Sequence, residues 1–203
     1  MSIYNNPLKK LAEYEDMEKD LCLGRGPVQI SGLPDGAKAF AISQLPQPWK
    51  LVITYDENRA RMIAEDIRCF AGEDEVLLYP ARDLLFFSAD IRGNLISGQR
   101  IDVWRHMSED ESGIVVTTID ALMDKLEDPK EFKKKSIVIT RGEKLSIDEL
   151  AESLVGFGYN REEQVESGGQ FAVRGGIVDI FPLTEEVPVR IEFWDDEVDS
   201  MRS

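Results

Sequence analysis

The sequence predicts an α/β chain: a short, mostly parallel sheet flanked by helices over about residues 1–128, and a small α+β domain with an antiparallel sheet over 129–203. Three observations predict it. In the first part apolar, β-branched runs alternate with amphipathic helical stretches, the pattern of βαβ units with right-handed crossovers. A polar connection, Asp128-Pro129-Lys130 followed by Lys133-Lys134-Lys135, interrupts that alternation. Beyond it, short apolar runs are separated by glycine pairs, which permit the positive backbone dihedrals of hairpin turns.

Pro7 to Leu21 reads as a helix: Asn6 can cap it, Pro7 suits its first turn, and Leu8, Leu11, Tyr14, Met17 and Leu21 recur at helical spacing before Gly24 stops it. Val28 to Ser31 reads as a first strand, leading through Gly32-Leu33-Pro34-Asp35-Gly36 into a helix from Ala37 to Leu45. Leu51 to Tyr55 reads as a buried strand, and Glu57 to Phe70 as a helix with Ala60, Ile63, Ala64 and Ile67 as its apolar stripe. Val76 to Tyr79 is a third strand, Ser97 can cap a helix through about Met107, and Ile114 to Thr118 is a fourth strand.

In the second part, Ser146-Ile147-Asp148-Glu149 has the form of a capping box, opening a helix to about Phe157 that Gly158 ends. Gln164-Val165, Phe171 to Val173, Ile177 to Phe181 and Val187 to Trp194 read as short strands. Gly168-Gly169, Gly175-Gly176 and the Pro182 to Pro188 turn separate them, and Phe171 and Phe181 alternate into the core. The chain stops at Ser203 just after an acidic strand end with no closing helix, as expected of a piece of a longer protein.

The formal net charge of -15, from 24 basic and 39 acidic residues, argues against strong non-specific binding to nucleic acid, which clustered Lys and Arg drive by counterion release. No run approaches the roughly 18 to 20 apolar residues of a membrane span, and the N-terminus lacks a signal-type apolar stretch, so a cytoplasmic location is expected. Cys22 and Cys69 lie far apart without CxxC spacing and read as buried thiols, not as a disulfide or zinc framework.

The loop Ser31 to Ala39 occupies the place of a P-loop but lacks its chemistry. A P-loop needs Gly-Lys-Ser/Thr in register, so that backbone amides cradle phosphates, the Lys meets the terminal phosphates and the hydroxyl holds magnesium. Here Ala37 separates Gly36 from Lys38, and Ala39 stands where the hydroxyl would be. Gly32, Gly36 and Lys38 therefore form a degenerate loop. Asp56-Glu57 imitates the paired acids of nucleotide hydrolases, yet without a phosphate site Asp56 reads as a helix cap and Glu57 as a complement to the helix dipole. Gly24-Arg25-Gly26 precedes its strand instead of following it, and His106, the single histidine, has no partner ligand at a metal-binding spacing. The sequence gives no catalytic residue, cofactor site or metal site.

The most specific stretch is Gly168-Gly169-Gln170-Phe171-Ala172-Val173-Arg174-Gly175-Gly176-Ile177-Val178-Asp179-Ile180-Phe181-Pro182, followed by Arg190-Ile191-Glu192-Phe193-Trp194-Asp195-Asp196-Glu197-Val198-Asp199-Ser200. It resembles the second domain shared by bacterial transcription-repair coupling factors and UvrB. The resemblance is dense over about Leu145 to Arg202, and the preceding βαβ region with its spoiled loop resembles the adjoining half-domain of the coupling factors. UvrB carries an intact nucleotide loop near its start, so the spoiled loop favours the coupling factors.

That resemblance implies a non-catalytic region that mimics UvrB's UvrA-binding surface and recruits UvrA to transcription-blocking damage. The motor, and the contacts with RNA polymerase and DNA, would lie further along the parent protein, whose other domains could mask the docking face. Arg174 matches the basic residue of the docking hairpin. UvrB-type hairpins commonly carry a second basic residue two places earlier, where this chain has Ala172. Arg161 is a weaker candidate for the same surface. Two alternatives stand beside this reading: an ATP-using UvrB-type repair helicase subunit, and a purely structural or autoinhibitory half-domain in which Arg174 is merely solvated.

Overall fold

β-Branched runs with polar or glycine-rich breaks between them become paired strands wherever a neighbouring strand meets their backbone groups. In the computed structural model, which describes residues 7–81, 90–109, 111–123 and 136–203, this happens in two separate sheets. The chain divides into two compact units, Met1–Ala81 with Arg105–Asp124 and Arg82–Trp104 with Lys125–Ser203. The expected cap at Asn6 and the lysine-rich connection after Asp128 lie outside the described residues.

In the first unit β1 (Trp49–Thr54), β2 (Val76–Tyr79) and β3 (Gly113–Thr118) form a parallel sheet in the order β1-β3-β2. The central strand β3 is buried at every position, as its near-continuous apolar run requires. Helix α3 (Glu57–Ala71) lays Ala60, Ile63, Ala64 and Ile67 into the core with Val76, Ile114 and Val116. Helix α2 (Asp35–Ser43) packs beside it, with Phe40 meeting Phe70 edge-on at a ring separation of 5.2 Å.

Several boundaries differ from the sequence reading. The first helix divides into a 3-10 turn at Pro7–Lys10 and α1 (Ala12–Cys22), and Gly24, at φ 64°, ends it in the left-handed region. Val28 to Ser31 does not form a strand. Val28 and Ile30 are exposed, and an apolar run without a neighbouring strand has nothing to pair with. The stretch from Leu51 to Tyr55 is an edge, not a fully buried strand: Leu51, Ile53 and Tyr55 are exposed. Helix α4 (Asp90–Glu109) runs through Ser97, which is therefore interior and caps nothing. A short helix α5 (Ile119–Met123) follows β3. Both cysteines are exposed, against the expectation of buried thiols.

In the second unit α6 (Ile147–Gly156) covers a five-stranded sheet in the order β4-β5-β6-β7-β8. Its strands are β4 (Asn160–Arg161), β5 (Gln170–Arg174), β6 (Ile177–Phe181), β7 (Val189–Trp194) and β8 (Glu197–Arg202). All neighbours are antiparallel except β4 and β5. Leu150 and Leu154 of α6 meet Phe171, Val178, Ile180, Ile191, Phe193 and Val198 in one core. Phe171 is fully buried, whereas Phe181 is only half-buried.

Ser146 does stand at the N-cap of α6 with extended backbone, but its hydroxyl makes no capping bond. Pairing with β5 occurs at Asn160–Arg161, not at Gln164-Val165, and β8 is a strand the sequence reading did not separate from the acidic chain end. In α4, Gly98 lies against the turn after β6: a Cβ there would come within 2.0 Å of the Leu183 carbonyl oxygen. The fold class is nonetheless the expected one, a parallel three-stranded sheet with helices and a separate, mainly antiparallel sheet. No helix among the described residues is long and apolar enough to cross a membrane.

Candidate protein-docking face

Alternation along the second sheet sorts its residues onto two faces, and the register decides which polar groups meet. Phe171, Val178, Ile180, Ile191 and Val198 take the inner face under α6. On the outer face Ala172, Asp179 and Arg190 form one row across β5, β6 and β7, continued by Arg202 of β8. The neighbouring row runs Arg174, Ile177, Glu192, Ser200. The two-residue Gly175-Gly176 turn, with Gly175 at φ 61°, sets the first of these registers and holds Arg174 at the hairpin end.

Asp179 is the centre of this face. Its side chain is only 6% exposed, and a carboxylate so buried is stable only when paired. Arg190 supplies two hydrogen bonds, Nε to Oδ1 at 2.6 Å and Nη2 to Oδ2 at 3.0 Å. Arg174 Nη2 donates to the same Oδ2. The Arg190 hydrogen bonds, helped by Arg174 and opposed by burial, hold the Asp179 carboxyl below its ordinary value. Arg190 is raised in turn, chiefly by its bond to Asp179. The two guanidiniums stay accessible, with side chains 54% exposed at Arg174 and 41% at Arg190. Beside them Arg202 pairs with Glu192, which also accepts from Ser200 Oγ at 2.9 Å.

The two arginines singled out from sequence are not brought together. Arg161 is exposed on β4 opposite Phe171, with the parity of the inner face, while Arg174 takes the outer face. The arginine that does join Arg174 is Arg190, through Asp179. The sequence signal for it was partial: the short glycine turn pairs Arg174 with Ile177 and so Ala172 with Asp179, but the longer Pro182 to Pro188 turn leaves the register of β7 open.

Asp35 and Lys38 of the glycine-containing loop, and the acidic pair Asp56-Glu57, make contacts within the first unit. Gly32 has φ 78°, and Gly36 is already inside α2. Arg59 grips the Asp35 carboxylate with bonds of 2.9 and 2.6 Å, and Lys38 Nζ donates to its Oδ1 at 3.1 Å, which together hold Asp35 well below the usual carboxylate range. Asp56 caps α3, accepting the Arg59 backbone N–H at 2.7 Å. Glu57 does more than complement a dipole: its Oε1 accepts from Ala81 N at 2.9 Å and Thr118 Oγ1 at 3.1 Å, tying the chain after β2 to the end of β3. Among the described residues no cluster of three or more His, Cys, Asp or Glu could hold a metal.

Comparison with known proteins places this geometry. A family profile described as the UvrB interaction domain matches residues 137–203, which contain the whole five-stranded sheet and α6. The transcription-repair-coupling factor of Bacillus subtilis (strain 168) is 32% identical over 199 residues, 97% of this chain and 17% of that protein. Those of Staphylococcus haemolyticus (strain JCSC1435) and Haemophilus influenzae (strain ATCC 51907 / DSM 11121 / KW20 / Rd) are 31% and 32% identical, covering 91% and 83% of this chain and 16% and 15% of theirs. The chain thus spans about one sixth of the length of the curated relatives it matches. It belongs with the UvrB-like region of the transcription-repair-coupling factors and carries a UvrB interaction domain at residues 137–203.

Proposed function

We propose that this chain is a docking module that recruits the excision-repair protein UvrA to transcription-blocking damage by imitating the surface UvrB offers to UvrA. Residues 129–203 act as the docking domain, and residues 1–128 as a UvrB-like half-domain without a working nucleotide site. The observation that carries the reading is Arg174: it stands at the end of the β5–β6 hairpin, half-exposed yet oriented by Asp179, inside the stretch that matches a UvrB interaction domain. An arginine ordered before binding loses less rotamer entropy at an interface and can present a planar fork to a carboxylate. Catalysis, DNA translocation and contact with RNA polymerase belong to the rest of the cytoplasmic parent protein, whose other domains could cover the same face.

Calorimetry of this chain with purified UvrA tests the reading. Wild type binds, and Arg174→Ala, folded by circular dichroism, loses about 2 kcal/mol or more of binding free energy, as expected of an interface hot spot. Equal binding by both would remove Arg174 from the site, and no binding by the wild type would remove the docking function. Arg161→Ala, on the other face of the sheet, has the smaller effect.

A further inference from the structure

Lys50 stands where the apolar rows of the first sheet run out. Alternation along β1 puts it on the side of Val52, which packs against the core, and the register sets it opposite Ile114, itself only 2% exposed. The residue is half-buried, and among the described residues no hydrogen bond or ion pair reaches its ammonium. Burial pushes the amine below the ordinary lysine value, opposed by the charge of Glu75. A lysine taken partly out of water without a bonded partner is destabilising until something binds it. It lines a cavity of about 530 Å³ at the N-terminal edge of the sheet, within the size range of small-molecule pockets.

The other walls of that cavity carry the opposite sign. Helix α2 ends at Ser43 and α3 at Ala71, and both C-termini line it with the negative ends of their dipoles. Glu75 lines it too, and among the described residues no donor bonds its carboxylate. Arg68 is already committed, to Glu65, to Glu73 and to the Val76 carbonyl at 3.1 Å. Leu45, Phe70 and Ile114 supply apolar surface. A simple anion would meet Lys50 but also Glu75 and two helix C-termini, and a simple cation would meet Lys50. A molecule that bears both charges satisfies every wall.

We infer that this cavity binds a small zwitterion of the amino-acid or dipeptide class, its carboxylate on Lys50 and its ammonium toward Glu75 and the carbonyl ends of α2 and α3. The apolar side chains of such a ligand lie against Phe70 and Ile114. Every residue of the site belongs to the first unit, so the inference stands apart from the docking reading and does not depend on UvrA.

The test is an NMR titration of the isotope-labelled chain with leucyl-leucine, which should give saturable shifts confined to amides around the cavity, among them Gln44, Lys50, Gly72 and Ile114. N-acetyl-leucyl-leucine keeps only the carboxylate and leucyl-leucine amide only the ammonium. Each should bind about tenfold more weakly, as expected on losing a charge-assisted hydrogen bond. Lys50→Met, which keeps the stem and drops the charge, should weaken the unmodified dipeptide by a similar factor. Glu75→Gln, at an exposed position, should weaken it several-fold, and it carries the test if Lys50→Met fails to fold. No saturable shift with the wild type would overturn the site. So would binding of leucyl-leucine that neither substitution changes. Acetylated dipeptide or inorganic phosphate binding at these amides as tightly as leucyl-leucine would also overturn it, by showing a site for a simple anion.

Discussion

Adding one methyl group to two helical glycines of the second unit should change stability in opposite directions. Gly98 in α4 has the Leu183 carbonyl oxygen 2.0 Å, and its carbonyl carbon 3.1 Å, from the position a Cβ would take. The obstruction is backbone, so relief requires α4 or the turn after β6 to move by more than an ångström. Overpacking costs roughly 1–3 kcal/mol, and a clash this short belongs at the upper end. Alanine recovers about 1 kcal/mol of helix propensity, leaving Gly98→Ala destabilised by about 2 kcal/mol. Gly156, the last residue of α6, has nothing within 4 Å of its Cβ position, so Gly156→Ala should gain about 0.5 kcal/mol. Urea denaturation of both variants measures the difference. A Gly98→Ala chain as stable as wild type would refute the close approach of α4 to Leu183.

Two further outcomes follow from the polar contacts. Asp56→Ala removes the acceptor for the Arg59 N–H and should lower the stability of the first unit by about 1 kcal/mol, with Asp56→Ser largely preserving it in the same denaturation assay. For Asp179 the folded pKa is depressed, so its contribution is full above the unfolded value of about 3.9 and is lost as pH falls through the folded value. The stability gap between wild type and Asp179→Asn, measured by urea unfolding from pH 6 downward, should therefore stay constant to about pH 4 and then shrink; a gap that widens in acid would reverse the sign.

The strands of the first unit were legible because Val76 to Tyr79 and Ile114 to Thr118 are runs that the fold largely buries, and Asp56 was legible as a cap because the bond it makes is local. Val28 to Ser31 has a similar local composition but no neighbouring strand, and pairing is not a local property. Ser97 has good capping chemistry, yet α4 begins at Asp90, so the helix passes straight through it. β8 was obscured by its acids, since only Val198 of its six residues is buried. At the proposed docking face Arg174 could be singled out through the resemblance carried by the motif around it. Its partnership with Arg190 could not, because it depends on two strands brought into register by a turn whose length does not dictate that register.

The uncovered side of β1 has a colloidal consequence. Leu51 and Ile53 are exposed on an edge strand, with Tyr55 exposed just after it, and an apolar edge strand is a template for pairing with another copy. The net charge of -15 opposes that encounter through repulsion between like-charged molecules, a force that reaches about 10 Å in 0.1 M salt and only about 3 Å in 1 M. Self-association through this edge is therefore expected to grow with ionic strength and as the pH approaches the isoelectric point near 4.5.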